Sequence, residues 1–345
     1  MSKEGIDYRK LQLTGGSTFV ISLPKDWIKE NKLGKGKIVG VEKINSGDLR
    51  ITATSENLSK KTVCINLTKN EKGKGLVDQL IGAYLSGADS IDICAKSKIS
   101  RQVKMQIRKF LRDTRGMEIE IDEEKLMRIT SILNPTELRL QVSINRMYIL
   151  ILGLVTDAVD VLNGEDENLL NDIEERERQI DARRLLLERQ VAISLQIPSV
   201  EKKLKINKFS AMEHANIARV LERMGDHATI FATLIKENYK SIKIENKEMP
   251  FSAIPIWSLE LKNIVHNTYT KDVDTILSSK RKLIKLIEDI EAIESNRWSG
   301  KEYAETIIAE FRISESIRRL CAYGANLAEA LVNMIMHTKL EIKNE

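Results

Sequence analysis

Two pairs of acids in this chain have the spacing of a cation site. Glu177 and Asp181 stand four residues apart in Glu177-Arg178-Gln179-Ile180-Asp181, and Glu222 and Asp226 do so in Glu222-Arg223-Met224-Gly225-Asp226-His227. Both segments have helical periodicity, and residues four apart on a helix share a face. Two antiparallel helices would bring the pairs together as a four-carboxylate cluster. Like charges that close repel and raise each other's pKa unless a cation neutralises them. Oxygen ligands suit a hard divalent ion such as magnesium or manganese, and carboxylate-bridged iron is a second chemistry open to such a set. His227 lies about 100° round the helix from Asp226 and is a poorer ligand. The same acids also have arginines within reach, Asp181 with Arg184 and Glu222 with Arg219. Exposed ion pairs of that kind contribute little to stability, and spacing alone leaves both readings open.

Little else has catalytic spacing. The four histidines, His214, His227, His266 and His337, stand near no Ser or Cys motif, so there is no nucleophile–base set. Cys64, Cys94 and Cys321 are far apart and fit neither a disulfide framework nor a zinc motif. They read as reduced thiols of a cytosolic protein. Lys72-Gly73-Lys74-Gly75 lacks the spacing of a nucleotide loop and reads as a turn. An enzyme is not expected. Positive charge gathers at the N-terminal end: residues 1–55 carry net +4, residues 56–130 net +4 and residues 131–345 net −3. That asymmetry permits an anionic partner. Arg9, Lys10, Lys25 and Lys29 are candidate contacts to DNA phosphates. A second set is Arg101, Lys104, Arg108, Lys109, Arg112 and Arg115 on a basic amphipathic helix. For each set the alternative is an ordinary solvated face.

The elements that must position these residues fall into three regions. Residues 1–55 read as short strands and turns with one helix. Strands are expected at Ile6–Leu13, Thr18–Leu23, Ile38–Ile44 and Asp48–Thr54, with turns at Thr14–Ser17, Gly34–Gly36 and Asn45–Gly47. Pro24 occupies the first-turn position of a helix running to Asn31. So small a β-rich domain buries little surface alone and is expected to need a partner chain. Residues 56–132 read as a small α/β domain, with strands at 62–67, 90–95 and 117–122 and helices at 76–86 and 100–115. Residues 133–345 are helical almost throughout. Six helices are expected, at about 136–163, 166–196, 207–239, 256–278, 280–297 and 301–338, with Thr136 as the first cap and breaks at Asn163-Gly164, Pro198, the Glu248–Pro255 stretch and Ser299-Gly300. The longest unbroken apolar run, Met147–Val155, is far short of the ~20 residues a membrane span needs. With no apolar stretch of signal-peptide type near Met1, a cytoplasmic location is expected.

The helical region repeats internally. Val159–Leu162 resembles Val273–Ile276, 114 residues on (273 − 159), and the third helix resembles the sixth, 96 residues on (319 − 223). In that register Ile217 falls on Ile313, Met224 on Leu320 and Ala232 on Ala328, while Glu222 falls on Arg318 and Asp226 on Ala322. Each half is expected to be an antiparallel three-helix bundle, about 136–240 and 254–340.

Leu221–Ala228 resembles the third-helix signature of PhoU proteins, in which an Arg lies inside an E-x-x-x-D motif, and Ile173–Leu185 resembles the matching second-helix segment. PhoU proteins are all-α tandem three-helix bundles. The resemblance implies regulation of phosphate uptake, phosphate transporter components or signalling proteins as partners, and a metal ion held by Glu177, Asp181, Glu222 and Asp226. The second half departs from the family, being basic at Lys280-Arg281-Lys282 and lacking the acids on its last helix. Near the N-terminus, Arg9–Gln12 and Gly15–Trp27, followed by Leu33–Gly36, resemble the AbrB/SpoVT swapped-hairpin family. That second resemblance implies a homodimer that binds DNA. The three regions in this order are similar to archaeal PhoU-like regulators. An adaptor that signals from a phosphate ABC transporter without binding DNA is the alternative.

Overall fold

The computed structural model describes residues 7–43, 47–53, 60–67, 75–242, 244–245, 247–297 and 305–340. The turn at Asn45-Ser46, the stretch Lys72–Lys74 and the break at Ser299-Gly300 lie outside them. The chain divides into two compact units, Met1–Lys60 and Lys61–Glu345.

In the first unit β1 (Gln12–Thr14) and β2 (Thr18–Val20) pair about Gly15-Gly16, with Leu13 opposite Phe19. Helix α1 (Lys25–Glu30) follows, and β3 (Val39–Lys43) pairs antiparallel with β4 (Leu49–Ala53). The element order matches the sequence reading, with shorter strands. Pro24 sits one position earlier than expected, as the extended N-cap residue of α1. The four strands form two separate two-stranded sheets. None of the described residues between 7 and 53 is buried.

The second unit opens with β5 (Thr62–Leu67), α2 (Leu76–Leu85), β6 (Ser90–Ala95), α3 (Arg101–Asp113), β7 (Met117–Asp122) and β8 (Leu126–Ser131). The sheet order is β5-β6-β8-β7, with β5 parallel to β6 through α2 and β8 antiparallel to both its neighbours. The sequence reading lacks β8. Its turn is Glu123-Glu124-Lys125, without the Gly or Pro that marks such boundaries. Met127 and Ile129 become core residues only by pairing opposite Ile93 and Ile91. Leu80 and Tyr84 of α2 and Val103, Ile107 and Phe110 of α3 belong to the same core as these strands.

The helices are α4 (Leu140–Leu162), α5 (Ile173–Gln196), α6 (Pro198–Leu204), α7 (Lys208–Asn238), α8 (Ala253–Thr270), α9 (Val273–Arg297) and α10 (Glu305–His337). A 3-10 turn at Glu167–Leu170 precedes α5. One continuous apolar core runs through them all except α6. Three expectations are corrected. Asn134 Oδ1 accepts from the Thr136 amide and hydroxyl at 3.0 and 2.8 Å. Thr136 is therefore engaged in a turn, and α4 begins at Leu140. Pro198 opens α6 as its first residue and is not a mere break. The fourth helix ends at Thr270, not 278. Lys271 takes a left-handed backbone (φ 57°), and Asp272 caps α9 by accepting from the Asp274 and Thr275 amides at 3.1 and 3.3 Å. Val159–Leu162 thus ends a helix while Val273–Ile276 begins one, so their likeness is no structural equivalence. By length and composition α4 is apolar enough to cross a membrane, although no unbroken apolar run approaches that length. Ten of its residues are buried inside the bundle.

Helix α5 also holds the α/β layer. Buried Arg189 donates to the carbonyls of Tyr84 (2.6 Å) and Ala88 (2.7 Å), with its guanidinium 4.8 Å from the Tyr84 ring centroid. Gly87 between those carbonyls has φ 87°, and a Cβ there would come within 2.8 Å of Ile193. Glycine is required on both counts.

Candidate functional site

Helices α5 and α7 run antiparallel: Glu188 meets Arg219 at 2.6 Å, Arg184 meets Glu222 at 3.3 Å, and Ile180 meets Gly225. A Cβ on Gly225 would sit 3.0 Å from Ile180, so glycine lets the helices approach closely. This order brings the four acids of the sequence reading into one electrostatic neighbourhood. Burial, then Glu222 and Asp226, push Asp181 up to about 6 from the ordinary 3.8. Burial and then Asp226 raise Glu177. Burial raises Glu222, with Arg184 offsetting part of the rise and Asp226 adding to it. Burial also raises Asp226 against the opposing charges of His227, Arg184 and Arg223.

The ion pairs differ from those expected along the sequence. Arg184 pairs with Glu188 at 2.8 Å and Glu222 at 3.3 Å, not with Asp181, and Arg219 pairs with Glu188. Glu188, 7% exposed, is the charged residue the sequence reading misses. Its only signal is the i,i+4 spacing to Arg184. Among the described residues, no three His, Cys, Asp or Glu side chains are gathered so as to hold a metal ion. The donor set suits a hard cation chemically, since all four carboxylates are raised in pKa, with Arg184 set against the rise at Asp181 and Glu222 and, behind His227, at Asp226. The side chains would have to turn toward one point to form a ligand shell.

The second set of helices shows what the site looks like without its acids. A Cβ on Gly324 of α10 would meet Leu283 of α9 at 2.8 Å, as Gly225 meets Ile180. Arg318 lies 3.3 Å from Glu291, as Arg219 pairs with Glu188. These contacts put α10 99 residues after α7 (324 − 225) and α9 103 after α5 (283 − 180). That is about one turn from the 96-residue register. Glu222 and Asp226 then correspond to Cys321 and Ala325, and Glu177 and Asp181 to Lys280 and Ile284. Lys280 pairs with Glu329 at 2.6 Å, and Lys282 pairs with buried Glu260 at 2.6 Å.

In the first unit, Lys10 is exposed before β1, and Lys25 and Lys29 are exposed one turn apart on α1. Arg9 is held by Asp7 at 2.8 Å. Of the basic set on α3, Lys104 pairs with Asp122 at 2.5 Å and Arg112 lies 3.7 Å from Asp113.

Residues 144–235 match the family model of the PhoU domain. The match spans α5, α6 and most of α4 and α7, and it contains all four acids. No curated protein matches the chain. Among solved structures, the phosphate transport system regulatory protein PhoU from Streptococcus pneumoniae is similar at TM-score 0.45 and 16% identity, covering 59% of this chain and 96% of that one. A likeness of that size carries no functional argument.

Proposed function

We propose that the protein regulates phosphate uptake from the cytoplasm. Helices α4–α10 serve as the sensing and partner-binding region, and the first unit as a dimeric DNA-binding region. The observation that carries this reading is the PhoU-domain match over residues 144–235, which encloses the motif around Glu222. Phosphate transporter components or signalling proteins are the partners this reading names. The lack of any buried residue among the described part of 7–53 supports a partner chain for the first unit. Exposed Lys10, Lys25 and Lys29, with Arg9, supply the charge for phosphate contacts. Glu177, Asp181, Glu222 and Asp226 are proposed to bind a divalent or iron-type cation on rearrangement.

Chromatin immunoprecipitation at high and low phosphate tests the reading. Promoter enrichment that changes with phosphate is expected. Binding to the enriched DNA in vitro should weaken steeply with salt, and Lys10→Ala with Lys25→Ala should lower the log–log slope by roughly one unit per lost contact. Absence of enrichment, with the protein recovered on the phosphate transporter, would leave the adaptor.

A further inference from the structure

A cavity of about 430 Å³ opens at the end of the helical array, walled by the start of α4, the α6–α7 link and the C-terminal ends of α8 and α10. It is opposite in charge to the acidic cluster. Its apolar lining is part-exposed Leu204, Ile206 and Met334 over the buried Ile144, Ile217, Leu331 and Ile335. Its mouth carries Arg139, Lys203, Lys205 and Lys271, and no Asp or Glu lines it. All four cations are exposed, and none pairs with a carboxylate among the described residues. Residues 131–345 carry a net charge of −3, so this concentration of unpaired positive charge runs against the region's own balance.

The backbone shows the same bias. Lys205 and Lys271 both adopt left-handed conformations, φ 56° and 57°, where Gly or Asn fits at lower cost. Asn207 and Ser210 close a reciprocal cap at the start of α7, which engages the Asn207 and Ser210 amides. Inside, His214 Nδ1 lies 2.6 Å from the Ser210 carbonyl. A carbonyl only accepts, so Nδ1 donates, and the neutral ring keeps a lone pair on Nε2.

We propose that this cavity binds a small phosphorylated molecule with an apolar or ring-bearing body, of mononucleotide size. The phosphate sits among Arg139, Lys203, Lys205 and Lys271 through charge-assisted bonds, and the body lies on Leu204, Ile206 and Met334. The volume is within the range of pockets that bury such ligands. Because walls come from both α4–α7 and α8–α10, an occupant touches both helical groups at once. This inference goes beyond the regulatory reading and does not depend on it.

Calorimetric titration of the full chain with AMP, ribose 5-phosphate and inorganic phosphate tests it. AMP is expected to bind saturably at one site per chain, at least about tenfold tighter than inorganic phosphate, with ribose 5-phosphate near the latter. The Arg139→Gln, Lys203→Gln double variant should weaken AMP at least about tenfold, the scale of two lost charge-assisted contacts. The Lys205→Asn, Lys271→Asn variant, whose asparagines suit the left-handed backbone, should do the same. Both should melt as the parent does, since the altered side chains are exposed. No saturable AMP binding, equal binding of inorganic phosphate, or AMP binding unchanged in both variants would each overturn the proposal.

Discussion

A carboxyl that titrates near 6 in the folded protein and near 3.8 in the unfolded chain, as Asp181 does, holds its proton more tightly when folded. Between those values the native state binds more protons, so the unfolding free energy falls as pH rises. The stabilising contribution is full below about 3.8 and gone above about 6. Asp181→Asn should therefore stabilise chelator-treated protein at pH 8 by on the order of 1–2 kcal/mol, after allowance for solvent screening of a half-buried group, and change little at pH 4. Urea unfolding across that range reads the difference directly. An Asn variant no more stable at pH 8 would show that the acids sit together without strain. A divalent ion must displace the same proton, so manganese should raise the melting temperature of the parent above pH 6 and not that of Glu222→Ala, Asp226→Ala. At this scale the sequence was legible where chemistry and spacing coincide, in the two i,i+4 acid pairs. It was not legible where a long side chain chooses among neighbours on another helix. Arg184 reaches Glu222 and Glu188 across and along the helices, and one-dimensional spacing does not rank those choices.

Helix α5 belongs to two cores. Its Ile180 and Leu187 lie in the helical core, and Leu185 packs with the α/β layer. Arg189 fastens that second contact, and burial lowers its pKa while the Tyr84 and Asp89 charges oppose the change. Arg189→Ala would remove the side-chain donor to the carbonyls of Tyr84, which keeps the Gly87 amide at 3.1 Å, and Ala88, a loss of about 2–4 kcal/mol for a buried charged hydrogen-bonding group. The expected outcome is a lower melting temperature and earlier proteolysis within residues 61–131 than within the helices. Loss of order in both regions together would mean that the α/β layer has no separate transition. Elements with a long apolar period, α7 and α10 above all, were legible because burial follows the period along their length. The breaks depend on single side chains. Lys271 ends one helix in a left-handed turn and Asp272 starts the next by capping, within a stretch whose apolar pattern continues. Strand β8 has two buried residues and no turn marker, so it exists through its partners β6 and β7.

For the whole molecule the first unit poses the sharpest requirement. Leu13, Phe19, Ile38 and Val41 are 60%, 68%, 75% and 61% exposed, and two separate hairpins of three and five residues per strand cannot bury them. A two-stranded ribbon is marginal in water, and a unit of this size with no buried side chain among its described residues 7–53 does not hold its fold alone. Covering these side chains with the same surface of a second chain satisfies both copies at once, which is how a two-fold interface works. Light scattering of the full chain should therefore give twice the 39.3 kDa of one protomer. Phe19→Asp with Val41→Asp places charges where apolar faces must meet and should shift the protein to a monomer. Removal of residues 1–60 should do the same while leaving the melting of the helical region unchanged, because that region has its own continuous core. A truncated chain that still scatters as a dimer would move the interface to the helices, and the apolar face of the first unit would then need a different partner.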